Sequence, residues 1–123
     1  MKKVYLSSEI SGAPTSGAIE VGGLVFVSGQ IHADENWKVI GETIEEKFDI
    51  AIKRVQKILG EAGLTLADVV RVHLYLTNIG ELPALNKVYG NYFAHPLPAR
   101  TAVGVQSLPL GATLEIDVIA ARK

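Results

Sequence analysis

The chain contains no cysteine, which removes a disulfide framework, a thiolate nucleophile and any thiolate-held metal, and fits a cytoplasmic location. It has no apolar run near the roughly 18 residues that a membrane-crossing helix requires. Met1-Lys2-Lys3 has the charge of an export leader, but only Val4-Tyr5-Leu6 follows as an apolar stretch, so neither secretion nor insertion is expected. Charge of one sign is lacking too: 12 Lys and Arg face 13 Asp and Glu, for a formal net charge of -1. These charges are scattered, without a basic tract or stripe, which argues against a nucleic-acid partner. No repeat or low-complexity segment is present. His32, His73 and His95 lack metal-ligand spacing, so no metal is expected. Ser28 has no Gly-x-Ser-x-Gly frame around it, and no phosphate-loop or dinucleotide pattern occurs.

What the chain does have is apolar content. Hydrophobic residues make up 48% of 123, enough for one domain over residues 1–123, whereas two would each lack a core. A helix is expected over residues 43–62. Thr43 and Glu46 have capping-box spacing, and Ile44, Phe48, Ala51, Ile52, Val55, Leu59 and Ala62 recur on one face. Gly63 suits the left-handed position past its end. A second helix over residues 82–93 gathers Leu85, Val88, Tyr89, Tyr92 and Phe93, with Pro83 tolerable in its first turn.

Strands fill the rest. Residues 18–21 and 24–30 flank Gly22-Gly23, a two-residue hairpin signal. Residues 69–76 place Val70, Val72, Leu74 and Leu76 opposite Arg71, His73 and Tyr75. Residues 100–105 place Thr101, Val103 and Val105 opposite Arg100, Ala102 and Gly104. Residues 113–121 place Leu114, Ile116, Val118 and Ala120 opposite Glu115, Asp117 and Ile119. Leu108-Pro109-Leu110-Gly111 reads as the turn between the last two. With a short strand near Val4-Tyr5, the order ββ-helix-β-helix-ββ implies an α+β fold, a mixed sheet with both helices on one face. The other face would carry Arg71, His73, Tyr75, Arg100, Glu115, Asp117 and Ile119, either as a solvated surface or as a subunit interface holding a polar pocket.

If the last two strands pair as a hairpin, matching core to core brings Arg100 and Glu115 together on that second face. The guanidinium is a permanently charged planar fork suited to a carboxylate. Glu115 is then either its salt-bridge partner or a group that orients a water. The two residues alone leave both readings open.

The segment from Pro98-Ala99-Arg100-Thr101 through Val103-Gly104-Val105, Leu108-Pro109 and Glu115-Ile116 to Ala120 resembles the signature of the RidA/YjgF family. Ser28-Gly29-Gln30-Ile31 is similar to the family's Ser-Gly-Gln-Ile, and Asn86 with Tyr89 to its Asn-x-x-Tyr. The likeness runs over nearly the whole chain in matching order. It implies a chorismate-mutase-like fold, a homotrimer with sites in the clefts between subunits, and no cofactor. It implies that Arg100 grips the substrate carboxylate and Glu115 positions the attacking water, with Ser28, Gly29, Ile31, Asn86 and Ala102 lining the pocket. The implied activity is hydrolysis of enamine and imine intermediates, such as 2-iminobutanoate and 2-iminopropanoate, to 2-oxo acids and ammonia.

The chain departs from the family at two places. Where members with this activity often carry Gly-Pro-Tyr it reads Ala13-Pro14-Thr15, and the frequent cysteine ahead of the Val-x-Val strand is Ala102. A more open pocket is expected. Two alternatives follow: a module that binds 2-oxo acids without turnover, and an endoribonuclease or translation inhibitor, which the charge balance disfavours. Trp37 and Lys38 fall in the 33–41 loop, as surface or as lid.

Overall fold

The computed structural model describes residues 2–7 and 14–123, with Leu6 and Ser7 described by their backbone only. Six strands form one mixed sheet: β1 (Lys3–Ser7), β2 (Ser16–Val21), β3 (Leu24–Ile31), β4 (Val69–Leu76), β5 (Ala99–Gly104) and β6 (Leu114–Ala121). Helices α1 (Ile44–Glu61) and α2 (Leu82–Tyr89) connect β3 to β4 and β4 to β5. Both pack on the same sheet face. The α+β architecture with two helices on one face is therefore the observed one.

Local signals behave as their chemistry dictates. Gly22 and Gly23 both have positive φ, 58° and 79°, which a primed two-residue hairpin demands and a Cβ would resist. Thr43 Oγ1 accepts from Glu46 N at 3.1 Å while Thr43 N donates to Glu46 Oε1 at 3.0 Å, completing the capping box. At the other end Gly63 N donates to Gly60 O and Leu64 N to Leu59 O, the Schellman pattern expected of a glycine past the last turn. α2 stops at Tyr89 rather than Phe93. Beyond Gly90 the chain tightens, with Asn91 N bonding Val88 O and Tyr92 N bonding Tyr89 O, yet Phe93 stays buried.

The sheet order corrects the expected hairpin. Strands run β1-β2-β3-β6-β4-β5, so β4 separates β5 from β6. The α2 crossover makes β5 parallel to β4 and leaves it at the sheet edge. β6 inserts antiparallel between β3 and β4, where Leu114, Ile116, Val118 and Ala120 are all no more than 1% exposed.

Two face assignments change with it. In the β4–β5 register Val72 pairs Arg100 and Leu74 pairs Ala102, so Arg100 and Ala102 lie on the helix side, while Thr101 and Val103 join His73 and Tyr75 on the open side. Val103 faces outward because an edge strand has its register set by its one neighbour, not by its own largest side chains. A register irregularity between Val69 and Arg71 likewise buries Val69 and leaves Val70 46% exposed.

Candidate active site

Two groups of sequence-predicted residues lie at separate places in the chain. The first surrounds Glu115 on β6. Ser28, Gly29, Gln30 and Ile31 of β3 line one cleft of about 1290 Å³ with Glu115, Thr15, Trp37, Arg54 and Leu110. The register of β3 against β6 shifts between Val27 and Gln30, so Ser28 and Gly29 form a bulge that aims the strand at Glu115. Ser28 itself is engaged, donating from Oγ to Ser16 O at 2.6 Å. Burial, and then the Asp117 carboxylate, pushes the Glu115 pKa up, and among the described residues no cation pairs with it. An unpaired carboxylate kept out of water in this way is suited to accept a proton.

The second group surrounds Arg100 on β5. Asn86 Oδ1 accepts from Arg100 Nη1 at 2.9 Å, and the guanidinium carbon lies 4.6 Å from the centre of the Tyr89 ring. An amide and an aromatic face fix the fork without neutralising it. No described carboxylate pairs with it either. Ala102, two residues along the same face, is small and half-buried.

Arg100 and Glu115 thus do not converge within one chain, contrary to the hairpin expectation. They stand on opposite faces of the sheet, on strands held apart by β4.

The open face has its own arrangement. His73 Nδ1 meets Asp117 Oδ1 at 2.7 Å, Tyr75 Oη donates to Asp117 Oδ2 at 2.8 Å, and Arg71 donates to His73 and Thr101. Burial and the Asp117 hydrogen bond push the Tyr75 phenol up to about 12. Toward β1 the same face turns apolar, with Val4, Phe26, Leu24 and Val21 exposed and Val4, Ile19, Phe26 and Ile119 in register across four strands. Adjoining apolar and networked polar areas are unusual for a solvated sheet face.

A family model described as Endoribonuclease L-PSP matches residues 7–122. The chain belongs to the RidA/YjgF family. It is 41% identical over 108 residues to a RutC family protein of Pyrococcus abyssi, covering 87% of this chain and 85% of that one. It is 34% identical over 124 residues to the Reactive Intermediate Deaminase A, chloroplastic, of Arabidopsis thaliana, covering 98% and 66%. The crystal structure of a yeast protein, YEO7, superposes with a TM-score of 0.93 at 32% identity over 100% of both chains. The family therefore includes a reactive intermediate deaminase.

As a RidA/YjgF protein, the chain holds its motif residues in two sets: Ser28, Gly29, Ile31 and Glu115 share the cleft, while Arg100, Asn86 and Ala102 lie elsewhere. Thr15 lines the cleft where the family often has tyrosine; Ala13 of the same departure lies outside the described residues. Arg54 was not singled out from the sequence. Its Nε donates to Gln30 Oε1 at 3.0 Å, its Nη1 to Asp34 O at 3.0 Å, and it lies 3.9 Å over the Trp37 ring. Its place three after Ala51 and four before Ile58, both core residues, was the available signal: that ridge flanks the apolar stripe. Trp37 has a left-handed backbone, φ 64°, and is a cleft wall.

Proposed function

We propose that this protein hydrolyses reactive 2-imino acids, such as 2-iminobutanoate and 2-iminopropanoate, to 2-oxo acids and ammonia, at sites shared between neighbouring copies of a homotrimer in the cytoplasm. The observation that carries the reading is a pair of charges uncompensated among the described residues: a fixed guanidinium that no described carboxylate pairs, and a half-buried carboxylate that no described cation pairs. Each is left incomplete in its own chain. A site that takes Arg100 from one copy and Glu115 from the next completes both, and the apolar half of the open sheet face supports association of copies.

In such a site the Arg100 fork, steadied by Asn86 and Tyr89, receives the substrate carboxylate through two charge-assisted hydrogen bonds. Ala102 leaves space beside it, and the strand around Ser28, Gly29 and Ile31 forms the facing wall. Glu115 holds a water against the imine carbon. The C–O bond forms as one water proton passes to Glu115, while the C=N electron pair moves onto nitrogen, which takes a proton from solvent to give the carbinolamine. Glu115 then returns its proton to that nitrogen, the hydroxyl releases its proton to solvent as the C=O bond forms, the C–N bond breaks, and ammonia leaves with the 2-oxo acid. The imine is already electrophilic, so positioning supplies most of what the reaction needs, and the step draws on no redox chemistry.

The experiment is imine decay in the presence of an amino-acid oxidase that generates the imine, with Arg100→Ala and Glu115→Gln as controls. Acceleration lost in both variants supports the reading. Binding of a 2-oxo acid without acceleration replaces it with a binding module, which Thr15 in place of an aromatic residue favours. RNA cleavage that survives both substitutions replaces it with the ribonuclease reading.

A further inference from the structure

Gly29 lies inside a strand, a poor place for glycine, and its presence has a steric cause. It is not among the glycines with positive φ, so its backbone is one that any residue adopts. What excludes a side chain is the carboxylate opposite. A Cβ added at Gly29 meets Glu115 Oε2 at 2.0 Å, Glu115 Cδ at 2.8 Å and Glu115 Cγ at 3.2 Å, and these are its three nearest neighbours.

We propose that Gly29 is a positioning residue: its bare Cα is the seat on which the Glu115 carboxylate rests, and any side chain there displaces the carboxylate from its working place. The inference rests on the reading of Glu115 as the water-positioning group. It assigns Gly29 a role through Glu115, separate from any use of its backbone N–H to line the pocket.

The seat also accounts for the chemistry of the carboxylate. Close approach to the Gly29 main chain shields part of Glu115 from water, and desolvation of that kind favours the protonated form. The charged and titratable groups around it are few. Asp117 on β6 adds like charge, Tyr75 on β4 is its register neighbour, and Asp34, Glu35, Lys53, Arg54 and Lys57 line the same cleft. None of them is bonded to it. Burial on the glycine is therefore the cause that a substitution removes most directly.

The test is a ¹³C NMR titration of the Glu115 carboxyl carbon, assigned with Glu115→Gln, in the wild type and in Gly29→Ala, alongside kcat and KM against pH. The expected result in Gly29→Ala is a Glu115 titration moved down toward the ordinary carboxylate range. The acid limb of kcat should move with it, and kcat should fall by about 10- to 100-fold, a part of the roughly 100- to 10,000-fold that a positioned general base contributes. An unchanged Glu115 titration in Gly29→Ala overturns the seat. If the wild type hydrolyses no imine while the titration still moves, the catalytic reading fails and the seat stands. If Glu115→Gln abolishes hydrolysis and Gly29→Ala leaves it intact, the seat fails and the reading stands. Should Gly29→Ala prove poorly folded, Glu115→Ala in the same chain must restore the thermal midpoint; failure to do so overturns the proposal.

Discussion

Arg100 and Glu115 leave the sheet on opposite faces, with β4 running between their strands. A chain acting alone does not bring them to one substrate, and the proposed function takes them from two copies. The arrangement predicts intersubunit complementation. Arg100→Ala and Glu115→Gln proteins, each inactive, should recover activity when unfolded together and reassembled. In a random equimolar mixture, a cleft needs its arginine from one variant and its glutamate from the other. About a quarter of the clefts meet that condition in a cyclic assembly. The check is the rate of imine decay against the fraction mixed; recovery of nothing shows that the cleft is not built from these two residues of different copies.

Glu115 carries a stability cost. Its folded pKa is raised above its unfolded value by burial, so the fold favours the protonated form. The penalty is absent below the unfolded pKa and grows as pH rises through and past it, because ionisation then costs the folded chain more than the unfolded one. Glu115→Gln should therefore raise the thermal midpoint at pH 7 while abolishing hydrolysis, and the gain should vanish near pH 4. Calorimetry at both pH values decides it, and a midpoint lowered at pH 7 would contradict the cause given for the shift.

Much of this architecture was legible in the residue order, and its failures share one origin. Local signals carried through: the Thr43–Glu46 box, Gly63 past α1 and the Gly22-Gly23 turn each depend on a few adjacent residues. The β6 alternation also held, because a central strand must bury one complete face. β5 failed because it is an edge strand beside one neighbour, so Val103 could point outward without leaving a core position empty. The placement of β6 between β3 and β4 is a long-range choice that no local pattern encodes. For the site, the pattern named Arg100 and Glu115 but joined them through the wrong hairpin, and it passed over Arg54 because a single arginine flanking an apolar stripe looks like surface.

The apolar half of the open face makes its own prediction. Phe26 is 40% exposed on β3, in register with Ile19 on one side and Ile119 on the other. A carboxylate introduced there would be buried unpaired if copies associate through this face, at a cost of several kcal/mol, and would be harmless on a solvated face. Phe26→Glu is expected to sediment as a monomer with unchanged far-ultraviolet circular dichroism, and to lose imine hydrolysis. A variant that keeps the wild-type sedimentation coefficient places the association surface elsewhere.

His32 gives a prediction independent of catalysis. It is 2% exposed, its Nε2 accepts from Thr113 N at 3.0 Å, and Nδ1 lies 2.7 Å from Ile40 O. An acceptor at Nε2 and a carbonyl at Nδ1 fix the neutral ring with its proton on Nδ1. It ties the start of the 33–41 loop to the segment before β6. Protonation would place a hydrogen on Nε2 against the Thr113 N–H, and burial lowers the folded pKa below the ordinary 6.5. As pH falls through the unfolded value, the unfolded chain takes up a proton that the folded chain refuses, so stability is complete above about pH 6.5 and declines below it. His32→Ala should cost about 1–3 kcal/mol at pH 7, since it removes two part-buried hydrogen bonds, and should flatten the decline between pH 6.5 and 5. Urea unfolding at a series of pH values measures both, and an equal acid slope in wild type and variant would assign that slope to other groups.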